Sequence, residues 1–294
     1  MFLGVVCGLC AATMQSVSYV FSRMFISRHK SAFQLSICSQ VVMGVLGLIL
    51  AGISLSFTAY PQSWKYYILA LAWLATYVSA QLSFFIALKS VEASRLSSLL
   101  GVKIIALAGI ALLLGGTLTP VKCLAVVLCT ISAVGMNFSG GKLALKSCFW
   151  VGMAVVSYAL CDLSCTEMVN MMPGDNVMYK SLGVVGISYA LLGLFSLPVL
   201  FWIPRKMELL RDAAPFGVVW FVSMIFLLAA FGSVGVVYGT ILQSGRGIAS
   251  VLIGILLLKF GFENLEPRVS RRAWIRRMIM ATLMLCAMIM YSKG

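Results

Sequence analysis

Residues 68–74 read Ile-Leu-Ala-Leu-Ala-Trp-Leu, and residues 251–258 read Val-Leu-Ile-Gly-Ile-Leu-Leu-Leu. Neither run alternates polar with apolar residues, as a strand of a membrane barrel would. Continuous apolar runs, in blocks about one bilayer thick, require helices of roughly 20 residues. A helix satisfies its backbone amides within its own segment, which lipid demands of any spanning element. The remaining sequence agrees. Of the 294 residues, 62% are hydrophobic and 10% charged, and the mean hydropathy is +1.04. A soluble domain carries about a quarter charged residues, and the few polar side chains here cannot cover a globule. The chain is expected to be an all-α integral membrane protein.

Ten transmembrane helices are expected. They cover about residues 3–22, 33–54, 66–88, 96–115 and 121–138, then about 148–167, 177–203, 216–238, 247–262 and 273–291. Pro61, Gly115-Gly116 with Pro120, Ser139-Gly140-Gly141, Pro173-Gly174-Asp175 and Pro204 mark breaks between them. The opening residues have no basic stretch before the apolar run, so they read as a first membrane helix and not a cleaved signal.

The break near Ser139–Lys146 divides the chain into two repeats of five helices, 1–140 and 141–294. Gly115-Gly116-Thr117-Leu118-Thr119-Pro120 closes the fourth helix, and Phe262-Glu263-Asn264-Leu265-Glu266-Pro267 closes the ninth. Each ends in Leu-x-Pro and enters the last helix of its half. An odd number of spans per half places the halves in opposite orientation, which is the inverted repeat of many transporters.

The segment Phe85-Ile86-Ala87-Leu88-Lys89, followed by Ala93-Ser94-Arg95, an apolar helix and Gly115 to Pro120, resembles the drug/metabolite transporter superfamily of EamA type. The likeness is close in the first half. The second half keeps Tyr238, Gly239 and Glu263-Asn264-Leu265-Glu266-Pro267, but reads Ser244-Gly245-Arg246-Gly247 where the family is less glycine-rich. Gly116 replaces a common Glu, and Val102-Lys103 replaces a common Glu-Pro. The resemblance implies a ten-helix secondary transporter working by alternating access. Its cavity would be lined by helices one, three, four, six, eight and nine, and its termini would be cytoplasmic.

Charge gives a different orientation. The net charge is +14, and most of the 22 Lys and Arg residues flank loops after odd-numbered helices. The other side holds Lys65, Lys122, Lys180, Arg246 and Lys293. The positive-inside rule places both termini outside, and over loops this short it is the stronger physical signal. The same distribution explains the basic balance by anionic headgroups, so no nucleic-acid partner is expected.

Ionisable groups inside a bilayer are costly and mark function by default. Lys103 lies in helix four and Asp162 in helix six. Tyr158, Asp162 and Thr166 are four apart and share a helix face. Asp162 is a candidate proton or cation site, or a counter-ion; a structural ion pair is the competing reading. Lys103 is either an anion-binding group or a lysine that snorkels to the interface. Arg246, between Gly245 and Gly247, is either an anion ligand at a helix start or, the favoured reading, part of a tight interfacial turn. Gln15, Ser18, Tyr19 and Ser22 form a polar stripe on helix one, joined by Ser79 and Gln81 on helix three and Asn137 on helix five. These either line a cavity or bridge helices.

His29 is the single histidine, and Cys7 and Cys10 have no second pair to match, so no metal site is expected among the nine cysteines. Enzyme motifs are absent, and no cofactor is implied. The expected function is a secondary transporter in the plasma (inner) membrane. It would export a small metabolite such as an amino acid or related organic solute, with proton coupling through Asp162, as a monomer or homodimer. Two alternatives stand beside it: an exchanger of anionic or phosphorylated solutes using Lys103 and Arg246, and a lipid-handling membrane protein.

Overall fold

The computed structural model describes residues 1–88, 99–113, 115, 117–136, 145–204, 206–259 and 270–294. In chain order these form α1 (Phe2–His29), α2 (Ala32–Ser54), α3 (Trp64–Leu88), a 3-10 turn (Leu100–Val102), α4 (Lys103–Leu113) and α5 (Pro120–Met136). There follow α6 (Leu145–Met171), α7 (Val177–Phe201), α8 (Lys206–Val234), α9 (Val236–Ser244), α10 (Arg246–Lys259) and α11 (Arg271–Lys293). The described residues contain no strand. Seven helices (α1, α2, α3, α6, α7, α8 and α11) are long and apolar enough to cross a membrane; Leu100–Leu113 and Pro120–Met136 are apolar but shorter. The described residues are all-helical, and their seven long apolar helices fit a membrane protein. Ala93-Ser94-Arg95, Gly116, Asn137, the Ser139–Gly141 break and Glu263 to Pro267 lie outside the described residues.

The helix ends follow local chemistry. α1 was expected to stop at about residue 22, but it runs to His29. No Gly or Pro interrupts Met24 to Arg28, and Arg28 and His29 suit the negative end of the helix dipole. Lys30 then turns left-handed (φ 53°) and donates its N–H to the Ile26 carbonyl. Ser31 caps α2 by accepting from the Gln34 N–H, so two residues join α1 to α2. Asn176 caps α7 and Ser270 caps α11 in the same manner. The eighth helix was expected to reach about residue 238; instead Gly235, at φ 81°, ends α8 and starts α9. Without a Cβ, Gly235 takes that angle at little cost.

Four pairings hold the bundle together: α2 on α7, α1 on α8, α3 on α6 and α5 on α11. α4 also packs on α6, and both α9 and α10 pack on α1. Lipid is as apolar as leucine, so membrane helices associate by close packing and need small residues at their crossings. Gly44 of α2 and Gly193 of α7 meet backbone to backbone, each occupying the space where the other would carry a Cβ. A Cβ on Gly47 would sit 2.6 Å from the Ala190 nitrogen, and one on Gly186 would sit 2.8 Å from the Ala51 nitrogen.

Beside this seam the Ser196 hydroxyl lies 2.6 Å from Gln40 Oε1, and Gln40 Nε2 donates to Ser36 at 2.9 Å. Ser196 is buried. Ser196→Ala is expected to lower stability by about 1 kcal/mol, the size of an interhelical hydrogen bond in lipid. Unfolding in mixed SDS micelles measures it, and an unchanged midpoint would show that the contact contributes nothing.

At one end of the bundle, Arg28 Nη1 (2.7 Å) and His29 Nε2 (2.9 Å) both reach Asp212 Oδ2. This ties the C-terminus of α1 to the first turns of α8.

Candidate substrate site

The interior polar groups gather where α1, α4, α6 and α9 converge. Lys103 opens α4, and its Nζ lies 2.5 Å from Asp162 Oδ2 on α6. The same ammonium donates to Gln243 Oε1 on α9 at 3.2 Å. Gln243 Nε2 in turn donates to Gln15 Oε1 on α1 at 3.1 Å, and Gln15 Nε2 faces the Met224 sulfur of α8 at 3.9 Å. Each amide thus accepts on one side and donates on the other. Gln15, Asp162 and Gln243 are buried, as a satisfied network inside a low-dielectric core should be.

Arg246 stands at the start of α10, next to this chain. Its Nη1 donates to the Tyr19 hydroxyl at 3.3 Å, and its guanidinium lies 6.0 Å from the Tyr19 ring centre. Its carbonyl accepts from Ser16 at 2.8 Å, which fixes α10 to α1. From Tyr19 ring contacts continue through α8, α7 and α3. Tyr19 meets Trp220 edge-on (6.0 Å), and Trp220 Nε1 donates to the Tyr189 hydroxyl at 3.3 Å. Tyr189 meets Trp73 edge-on (5.7 Å), and Trp73 stacks on Tyr77 (5.3 Å). Gln81 donates to the Tyr77 hydroxyl at 3.2 Å. The Tyr158 phenol lies within electrostatic reach of Tyr77, Tyr19 and Arg246.

Most of the candidate residues therefore meet. Gln15, Lys103 and Asp162 belong to the hydrogen-bonded chain, and Tyr19, Tyr158 and Arg246 flank it. Lys103 points inward and does not snorkel. Asp162 lies well inside α6, which runs on to Met171. Arg246, half-buried, follows a turn at Gly245 that joins two helix pieces, α9 and α10. Ser18 differs. It is buried, but its hydroxyl donates to the Gln15 carbonyl of its own helix at 2.7 Å. Ser22 does the same to Tyr19, and Ser79 pairs with Ser157 across α3 and α6. Gln81 joins the group through its bond to the Tyr77 hydroxyl.

Gln243 escaped the sequence reading because residues 239–246 fell between two expected helices. Its signal was available: an amide between Tyr238 and Gln243 is costly to leave unpaired among apolar residues, though less so than a charge such as Asp162.

One further group of ligand-type atoms exists among the described residues. His29, Glu208 and Asp212 lie within 4.8 Å of one another. Arg28 and His29 already hold the Asp212 oxygen, so this is an ion pair at the helix ends. All nine cysteines are free thiols.

No family model matches the chain, and no curated protein matches it in sequence. Solved structures do match. One, described as "Crystal structure of protein", has a TM-score of 0.65 at 15% identity, covering 98% of this chain and 95% of its own. At that identity the likeness is one of fold. It extends along nearly the whole of both chains.

Proposed function

We propose that this protein is a secondary transporter of a small organic solute, working by alternating access in the plasma (inner) membrane. Its ten spans form two inverted five-helix halves, as in the drug/metabolite superfamily of EamA type. The helix pairing supports the repeat. Exchanging the halves turns α1 on α8 into α6 on α3, while α2 on α7 and α5 on α11 map onto themselves. The packing of α4 on α6 likewise becomes that of α9 and α10 on α1. Under this reading α9 and α10 are one interrupted span, like the discontinuous helices at transporter midplanes.

The observation that carries the proposal is the buried chain Asp162–Lys103–Gln243–Gln15. Its members alternate between the halves: α6 and α9 in one, α4 and α1 in the other. A polar network at the interface of two halves is a place where rocking of one half would break and remake contacts. Charged residues among membrane helices are rare and mark function by default.

The test is uptake of labelled amino acids and organic acids into proteoliposomes, with and without an imposed pH gradient. Saturable uptake that the gradient accelerates is the expected outcome, with the acceleration lost in Asp162→Asn. Wild-type uptake and an unchanged pH profile in that variant would remove proton coupling. Uptake of nothing, with lipid retained through purification, would favour a lipid-handling protein.

A further inference from the structure

The three charges of the cluster do not cancel. Lys103 is matched by Asp162, and Gln243 takes a further ammonium proton. Arg246 is left over. Its hydroxyl and ring partner, Tyr19, is neutral, and no carboxylate among the described residues forms an ion pair with it. A guanidinium stays charged, and Arg246 is half-buried without a counter-charge, which is costly. An anion beside it would offset that cost. One Arg246 N–H is spent on Tyr19; a guanidinium has five, and two of them in parallel suit a carboxylate.

The surroundings specify the rest of the molecule. Tyr19 and Trp220 are half-buried rings beside Arg246, with Tyr189, Trp73 and Tyr77 packed into the core behind them. Such rings take a planar apolar body by offset stacking or edge contacts.

Resting on the transport reading above, we propose that the cargo is an aromatic monoanion, its carboxylate on Arg246 and its ring against Tyr19 and Trp220. Lys103 is no second anion site, because Asp162 already occupies it. A phosphomonoester dianion would therefore keep one charge unmatched.

Indole-3-acetate, tryptophan and tryptamine share one ring system and carry charges of about −1, 0 and +1 at neutral pH. Thermal shifts of the detergent-purified chain against these three, with acetate as a ringless anion, test the proposal. Indole-3-acetate is expected to act at a concentration lower by about ten-fold or more, one charge-assisted contact's worth of affinity. Acetate should give no saturable shift. Arg246→Gln should abolish the preference, and Arg246→Lys should keep its direction with weaker binding. Should Arg246→Gln not fold, the lysine variant still decides.

Tryptophan or tryptamine acting at equal or lower concentration would overturn the proposal. So would an unchanged ranking in Arg246→Gln, or no shift with any of the three. Proteoliposomes separate this from the transport reading. Flux of any solute sustains transport whatever the ranking, whereas binding of indole-3-acetate without flux of any solute sustains the site and rejects transport.

Discussion

Asp162→Ala is expected to cost about 3–5 kcal/mol of stability, because it leaves the Lys103 ammonium buried without its carboxylate. Both side chains are nearly closed off, at 12% and 11% exposure. Lys103→Ala should cost a comparable amount for the converse reason. The informative variant is the double one. Lys103→Met with Asp162→Leu removes both charges and fills similar volume, and replacing a buried pair in this way is often neutral. The double variant is expected to recover most of the loss, leaving a coupling of several kcal/mol in a double-mutant cycle. Unfolding midpoints in mixed micelles supply the four corners of that cycle. If the single losses simply add, the two residues do not interact in the folded protein.

Gly44→Leu should be as damaging for an unrelated reason. The Gly44 and Gly193 backbones touch, so a side chain on either has only main chain to displace. Overpacking of this kind costs about 1–3 kcal/mol even where side chains can yield; here the helices must separate, and loss of folded protein is expected. Gly193→Leu should behave alike. Gly52, on the same helix, has nothing within 4 Å of where its Cβ would stand. Gly52→Ala is therefore expected to be neutral, or stabilising by up to about 1 kcal/mol through helix propensity. Yield and monodispersity in detergent compare them directly. Equal behaviour of Gly44→Leu and Gly52→Ala would show that the α2–α7 contact is looser than its geometry.

The helices were legible in the sequence because lipid imposes a length and a composition on each span. Their ends were not, where the deciding feature was conformational. The first apolar run ends at about residue 22, yet a helix can carry charges beyond the apolar layer, as α1 does down to His29. Gly235 looked like one more glycine in an apolar stretch, and only its positive φ divides α8 from α9.

The site shows the same division. Lys103 and Asp162 stood out individually because each is costly in lipid. That they neutralise one another could not be read from positions 59 residues apart. Pairing depends on which helices become neighbours, and hydropathy is silent about that. Ser18 illustrates the opposite error. Its spacing placed it on the polar stripe of α1, but a serine inside a helix has a local carbonyl to satisfy it and takes that one.

The unequal charge count has an electrical consequence. A potential of 100 mV acts on each elementary charge that crosses it with about 2.3 kcal/mol. The Lys103–Asp162 pair is neutral as a unit and adds nothing to that work, whereas Arg246 carries one uncompensated charge. A rocking motion that moved the site through the field would be sensitive to voltage when the site is empty. With a monoanion on Arg246 and Asp162 ionised the loaded site is electroneutral, and the membrane potential would act on the return of the empty carrier; a proton carried on Asp162 with the cargo adds one charge, and the loaded step would then feel the field as well.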